Sequence, residues 1–219
     1  RTDLPDSFRP LEYFPASLKQ GYYPFSLEDE ESFGSRLQQV IRIIVEYDMA
    51  EIKGFDIRQA KKMLQLLYII AQQVPFKPNL SSLADKTNIH RNSIGNYLYF
   101  LEEARLIALL RSGNYSVATL QKPEKIFLDN TNLMYALSEE QVNMGAARET
   151  FFYNQLSAVS SVQYSAKGDF VANKNVFEIG GKDKGYAQIK DVQNAFIVKD
   201  VIEYPAGNAL PLWIFGFLY

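Results

Sequence analysis

Residues 169–182 read Asp169-Phe170-Val171-Ala172-Asn173-Lys174-Asn175-Val176-Phe177-Glu178-Ile179-Gly180-Gly181-Lys182. Two short β-type runs, 169–172 and 176–179, are followed by a glycine pair. Asp169 opens the first run and Glu178 closes the second, a separation that lets adjacent hairpin strands bring the two carboxylates side by side. Two close carboxylates call for a cation between them. Magnesium or manganese suits such a site, since a hard divalent ion takes oxygen ligands, keeps several waters and recruits phosphate from a substrate. Lys182, on continued strand periodicity, shares the face of Glu178 and there orients an attacking water or stabilises charge developing on phosphorus. Glu149 on the preceding helix adds a third acid, and Gln188 on the following helix contacts phosphate or water. Plainer readings stand beside these: Asp169 after Gly168 as a turn residue, Glu178 bridged to Lys182, and Glu149 as a solvated pair with Arg148.

Outward from this stretch, 145–159 reads as a helix with Phe151, Phe152, Leu156 and Val159 on its apolar side. Strands are expected at 162–165, 195–198 and 210–215, and a helix over 184–192. Alternating helices and strands specify an α/β sandwich with the sheet covered on both faces. Upstream, apolar residues recur at helical spacing from Ile57 to Val74, and Pro75-Phe76-Lys77-Pro78 stops that helix. A short helix over 81–86 with a serine cap, a turn at Asn88-Ile89 and a longer helix over 91–105 follow. Residues 107–110, a turn at 111–114 and residues 115–120 read as a hairpin.

Three helices and a hairpin make a winged helix, whose third helix carries His90, Arg91, Asn92, Ser93 and Asn96 toward the bases of a major groove. Arg and Asn are the side chains that pair bidentately with guanine and adenine, and Arg111 is expected at the wing tip to meet the DNA backbone. The rival reading is a winged helix serving protein contacts alone. Residues 1–57 read as a helical lead-in, with a short helix over 11–19 and an amphipathic one over 33–48 whose stripe is Leu37, Val40, Ile41, Ile44 and Val45.

The 219 residues are 47% apolar and 22% charged, so the chain has a core to bury. The absence of cysteine excludes disulfides, thiolate zinc sites and cysteine nucleophiles, and a single histidine leaves no two-histidine metal site. Carboxylates and lysines therefore carry any chemistry. The net charge of −2 is unevenly spread: residues 1–57 hold 6 basic and 11 acidic groups, 58–128 hold 10 and 4, and 129–219 hold 7 and 10. A basic middle inside an acidic chain suits local attraction to nucleic-acid phosphates, or docking onto its acidic neighbours. No apolar run is long enough for a membrane span and no signal core is seen, so a soluble, cytoplasmic protein without membrane partners is expected. Arg1 in place of methionine suggests a chain that is processed or begins inside a longer protein.

The residues Asp169-Phe170-Val171, Val176 to Lys182 and Gln188 resemble the core of the PD-(D/E)XK nuclease superfamily. More closely, residues 122–133, 145–152 and 211–219 are similar to the carboxyl-terminal half of prokaryotic AAA-type ATPases, in which an ATPase module precedes a winged helix and a nuclease-like domain. The resemblance implies an α+β chain with a helical lead-in (1–57), a winged-helix module (58–128) and an α/β restriction-endonuclease-like sandwich domain (129–219). It places Asp169 and Glu178 on the metal-binding carboxylates and Glu149 on the helix acid. The lysine expected two residues past the glutamate is replaced by Gly180, so either Lys182 substitutes or the site is inactive. There is no Gly-rich Walker-type loop, so no ATP site lies in this chain and the ATPase module would lie upstream. The implied function is a DNA-associated, nuclease-like accessory region. The alternative is an interaction scaffold that tethers the ATPase to a protein partner or to another copy of itself.

Overall fold

A computed structural model of the chain describes residues 5, 7–51, 55–113, 123–138 and 141–218. Its order is α1 (Pro10–Gln20), α2 (Phe33–Glu46), α3 (Ala60–Ala71), α4 (Leu80–Thr87), α5 (Arg91–Glu103), β1 (Ile107–Leu110), β2 (Lys125–Leu128), α6 (Thr131–Leu137) and α7 (Met144–Ser157). Strands β3 (Gln163–Tyr164), β4 (Phe170–Ala172), β5 (Asn175–Gly180), β6 (Ala195–Lys199) and β7 (Ala209–Pro211) complete an α+β fold. Among the described residues no helix is long and apolar enough to cross a membrane.

Helix α2 repeats Phe33, Leu37, Ile41 and Val45 every four residues, and this stripe is buried against Met63, Leu66, Leu67 and Ile70 of α3 in one hydrophobic core. Full burial of one such side chain contributes about 1.5–3 kcal/mol. Ile94, Leu98 and Leu101 of α5 close the same core. Strands β1 and β2 pair antiparallel beside it, from Ile107 with Leu128 to Leu110 with Lys125, and Phe76 bridges to Ile126. The strand paired with β1 is thus Lys125–Leu128; residues 115–120, expected as the second hairpin strand, lie outside the described residues. The cap of α4 is Asn79, whose side chain accepts from the Ser81 and Ser82 N–H groups, rather than a serine. Asn88 ends that helix at φ 51°, a left-handed position that Asn tolerates.

The larger sheet runs β3-β4-β5-β6-β7, antiparallel through β5 and parallel from β5 to β7. Phe152 of α7 meets the rings of Phe170, Phe177 and Phe215 at 5.3, 5.1 and 4.6 Å in a second core. Successive strand residues take opposite faces: Phe177 and Ile179 join that core, whereas Val176 packs with Ile189, Ala195 and Ile197 in a smaller cluster.

Two sequence expectations change here. The helix over 184–192 is a single 3-10 turn, Tyr186–Gln188, entered from Gly185 with no side-chain cap. Only Ile189 of that stretch is buried, so there is no apolar stripe to sustain a longer helix. The strand over 210–215 ends at Pro211, which has no N–H for the ladder, and the chain turns into a 3-10 helix, Leu212–Phe217, that buries Leu212 and Phe215 three residues apart.

Described residues of the expected lead-in, 1–57, pack into both cores. Phe14 and Leu18 enter the second core while Phe33 to Met49 enter the first. Asn132 of α6 ties them down, accepting from the Tyr22 N–H and donating to the Leu18 carbonyl. The first core itself runs from Phe33 to Ala146, across the expected boundaries at 57 and 128. The smaller sheet lies against the larger one and against α7: the rings of Phe127 in β2 and Phe170 in β4 are 6.0 Å apart, and the Tyr153 hydroxyl of α7 donates to the Leu109 carbonyl.

Candidate functional site

β4 pairs with β5 as far as Phe170 with Phe177, and Asp169, just outside that ladder, lies close enough to Glu178 for the two charges to repel. The Asp169 N–H donates to the Phe177 carbonyl at 2.9 Å, and Asp169 Oδ2 accepts from the Ile179 N–H at 2.8 Å. The structure therefore brings the two predicted carboxylates together. Glu178 is wholly buried: Lys184 Nζ ion-pairs with Oε1, and among the described residues Oε2 has no hydrogen-bond partner. Burial and the nearby Asp169 push the Glu178 carboxyl above the ordinary range despite Lys184. Glu149 of α7 joins the cluster, its carboxyl raised by burial, then by Asp169.

Two lysines face these acids, and neither is Lys182. Lys182 is exposed beyond the end of β5, and its carbonyl accepts from Lys199 Nζ. Strand periodicity does not continue to it, because β5 stops at Gly180. A Cβ at Gly180 would collide with Cβ and Cγ of Lys184, so the side chain that 180 lacks leaves the space through which Lys184 reaches Glu178. Although burial works against its ammonium, Glu178, Asp169 and Glu149 together hold the Lys184 pKa above normal. The exposed Gln188 is connected through Lys184, whose Nζ donates to its Oε1 at 3.1 Å. The second lysine, Lys125 of β2, lies 2.8 Å from Glu149 Oε2 and 3.8 Å from Asp169 Oδ1. The glycine at 180 was the local signal for Lys184. Nothing near Lys125 in the sequence announced its role.

Among the described residues no group of three or more His, Cys, Asp or Glu side chains forms an array able to hold a metal ion. Magnesium, however, is commonly bound by one or two carboxylates together with waters and substrate phosphates rather than by an all-protein cage. The Asp169–Glu178 pair fits that mode, because Glu178 Oε2 is a buried acceptor to which none of the described residues donates.

A second gathering lies on α5. Arg91, Asn92 and Asn96 are exposed and, with Tyr99 and Arg111, line a groove of about 560 Å³. His90 caps this helix, its Nδ1 accepting from the Asn92 N–H. Ser93 is half-buried, does not line the groove, and donates its N–H to the His90 carbonyl. Arg111 is not at a wing tip: it follows β1 directly and holds Glu102 of α5 through two hydrogen bonds, at 2.6 and 2.9 Å. A carboxylate on the neighbouring helix is a nearer and better-matched partner for its guanidinium than solvent.

Residues 11–143 match a family model described as Domain of unknown function (DUF8612), which covers the groove and Lys125 but ends before Glu149. An uncharacterized protein of Methanocaldococcus jannaschii, MJ1637, is 27% identical over 110 residues, half of this chain. The matched stretch is 23% of that relative's length. No solved structure matches the chain.

Proposed function

The chain belongs to the DUF8612 family, a family of unknown function, and from the geometry above and the sequence resemblance we propose a DNA-associated, nuclease-like accessory region of a longer AAA-type ATPase. In this reading α3, α4, α5 and the β1–β2 pair act as a winged helix, and α7 with β3 to β7 as a PD-(D/E)XK-like sandwich. The observation that carries it is the nearness of the Asp169 and Glu178 carboxylates at one end of the β4–β5 pair, with Lys184 laid over Gly180. Asp169 and Glu178 would hold a magnesium or manganese ion. When bound, that ion supplies neutralisation of phosphate charge and a water of lowered pKa. Lys184 keeps a positive charge where negative charge develops on a phosphodiester, the role expected of Lys182. Gln188 anchors the Lys184 ammonium from the solvent side. Glu149, ion-paired with Lys125, is the helix acid beside Asp169.

Cleavage of duplex and single-stranded DNA with magnesium or manganese tests this reading, and chelator-sensitive cleavage is expected. Lys184→Met is expected to lower the rate about 10²- to 10³-fold, and Lys182→Met to leave it within a few-fold. Equal losses in the two variants would remove Lys184 from the mechanism. For the groove, Arg91→Ala with Asn96→Ala is expected to weaken DNA binding and to flatten its salt dependence by about one phosphate contact. Binding unchanged across salt concentrations would take α5 out of the interface.

A second reading, a tethering scaffold for a protein partner, is favoured by a separate cavity of about 460 Å³ between α1, α7 and the carboxyl-terminal turn. Tyr13, Phe151, Trp213 and Phe217 line it and, among the described residues, no charged side chain does, as suits an apolar anchor from another protein. Capture of a protein partner by the chain, with no affinity for DNA at low salt, would favour this reading over the first.

A further inference from the structure

We infer that Lys125 guards the divalent-ion site, its ammonium, anchored by Glu149, competing with the ion for Asp169. This rests on the reading that Asp169 and Glu178 hold that ion. Lys125 does not belong to the hairpin or to the helix that present the carboxylates. It projects from β2, the strand paired with β1 in the smaller sheet, where it stands opposite Leu110. From there its Nζ spans two acids, 2.8 Å from Glu149 and 3.8 Å from Asp169. Its side chain is 23% exposed, so solvent screens these contacts only in part.

The charges make the case. Asp169, Glu178 and Glu149 against Lys184 alone leave two negative charges, which one divalent ion neutralises. With Lys125 in place the cluster carries a single negative charge, and an incoming divalent ion drives it positive. Lys184 cannot be the competing group in the same sense, because it engages Glu178 Oε1 and leaves Oε2 open. Lys125 instead approaches Asp169 at Oδ1, the oxygen that the Ile179 N–H leaves free. Asp169 and Glu178 would be the residues that hold the ion, and Lys125, nearer to Glu149 than to Asp169, would yield Asp169 to it.

The measurement is a manganese titration of the whole chain, by calorimetry or by the magnetic-resonance signal of free manganese, with no DNA present. Lys125→Met is expected to bind manganese at least tenfold more tightly than the unaltered chain, and Lys125→Arg to stay near it. Lys125→Gln keeps a donor for Glu149, guards against misfolding of the Met variant, and is expected to tighten binding likewise; melting curves verify that each variant is folded. Equal or weaker binding by folded Lys125→Met and Lys125→Gln, with binding still abolished by Glu178→Gln, would overturn the role of Lys125 and leave the metal site standing. No manganese binding by any variant would overturn the metal-site reading, and this inference with it.

Discussion

Exchanging Asp169 for Asn or Glu178 for Gln is expected to lower divalent-ion-dependent DNA cleavage by about 10³-fold, more than any other substitution in the chain. Each exchange keeps shape and removes one negative charge. Asp169 loses the carboxylate that accepts from the Ile179 N–H, but Asn retains an oxygen for that bond, so the hairpin survives. Glu178 is wholly buried, and a neutral amide there avoids the cost of desolvating a carboxylate while releasing Lys184. Both variants should therefore fold, and the loss should lie in ion binding and rate rather than in solubility. Gel-based cleavage assays read alongside melting curves make that separation. Residual cleavage identical in both variants and in the unaltered chain would point to a contaminating nuclease.

Phe152→Ala is expected to destabilise the chain by about 3–5 kcal/mol, the range for deleting a fully buried aromatic ring. Phe152 is 0% exposed and touches three other rings, two of them on β4 and β5 and the third on the carboxyl-terminal 3-10 helix. The cavity it leaves has rigid walls on the sheet side, so little collapse relieves it. Denaturant unfolding followed by circular dichroism measures the loss. A cost below about 1 kcal/mol would mean that the second core does not depend on α7 as described. Because Glu149 lies on the same helix, the variant is also expected to reduce DNA cleavage, through the position of α7 and not through chemistry.

The helical parts of the fold were open to reading because their signal is local. The stripes of α2 and α3 repeat every three or four residues, and burial follows those repeats in both helices. The nearness of Asp169 to Glu178 was open to reading for the same kind of reason: a short hairpin keeps the residues that flank its paired positions close to one another. Lys182 was misplaced because periodicity was extended through Gly180 and Gly181, past the point where the strand ends. The stretch 184–192 has the composition of a helix but a single buried residue, Ile189, and tertiary context overrode propensity there. Arg111 was placed by analogy with a hairpin tip, whereas a carboxylate on α5 lies within reach of its guanidinium.

What the sequence by itself determined is the inventory and the local geometry: no thiols, one imidazole, two amphipathic helices that open the first core, and a hairpin with an acid on each strand. Those follow from residue identity and from contacts a few positions apart. The tertiary structure alone decided which cations meet those acids. Lys184 reaches Glu178 across the space that Gly180 leaves, and Lys125 reaches Glu149 and Asp169 because the smaller sheet docks beside the larger one. An ammonium on a long flexible stem takes its partner from whatever packing brings within a few ångströms, and no repeat or spacing along the chain encodes that distance.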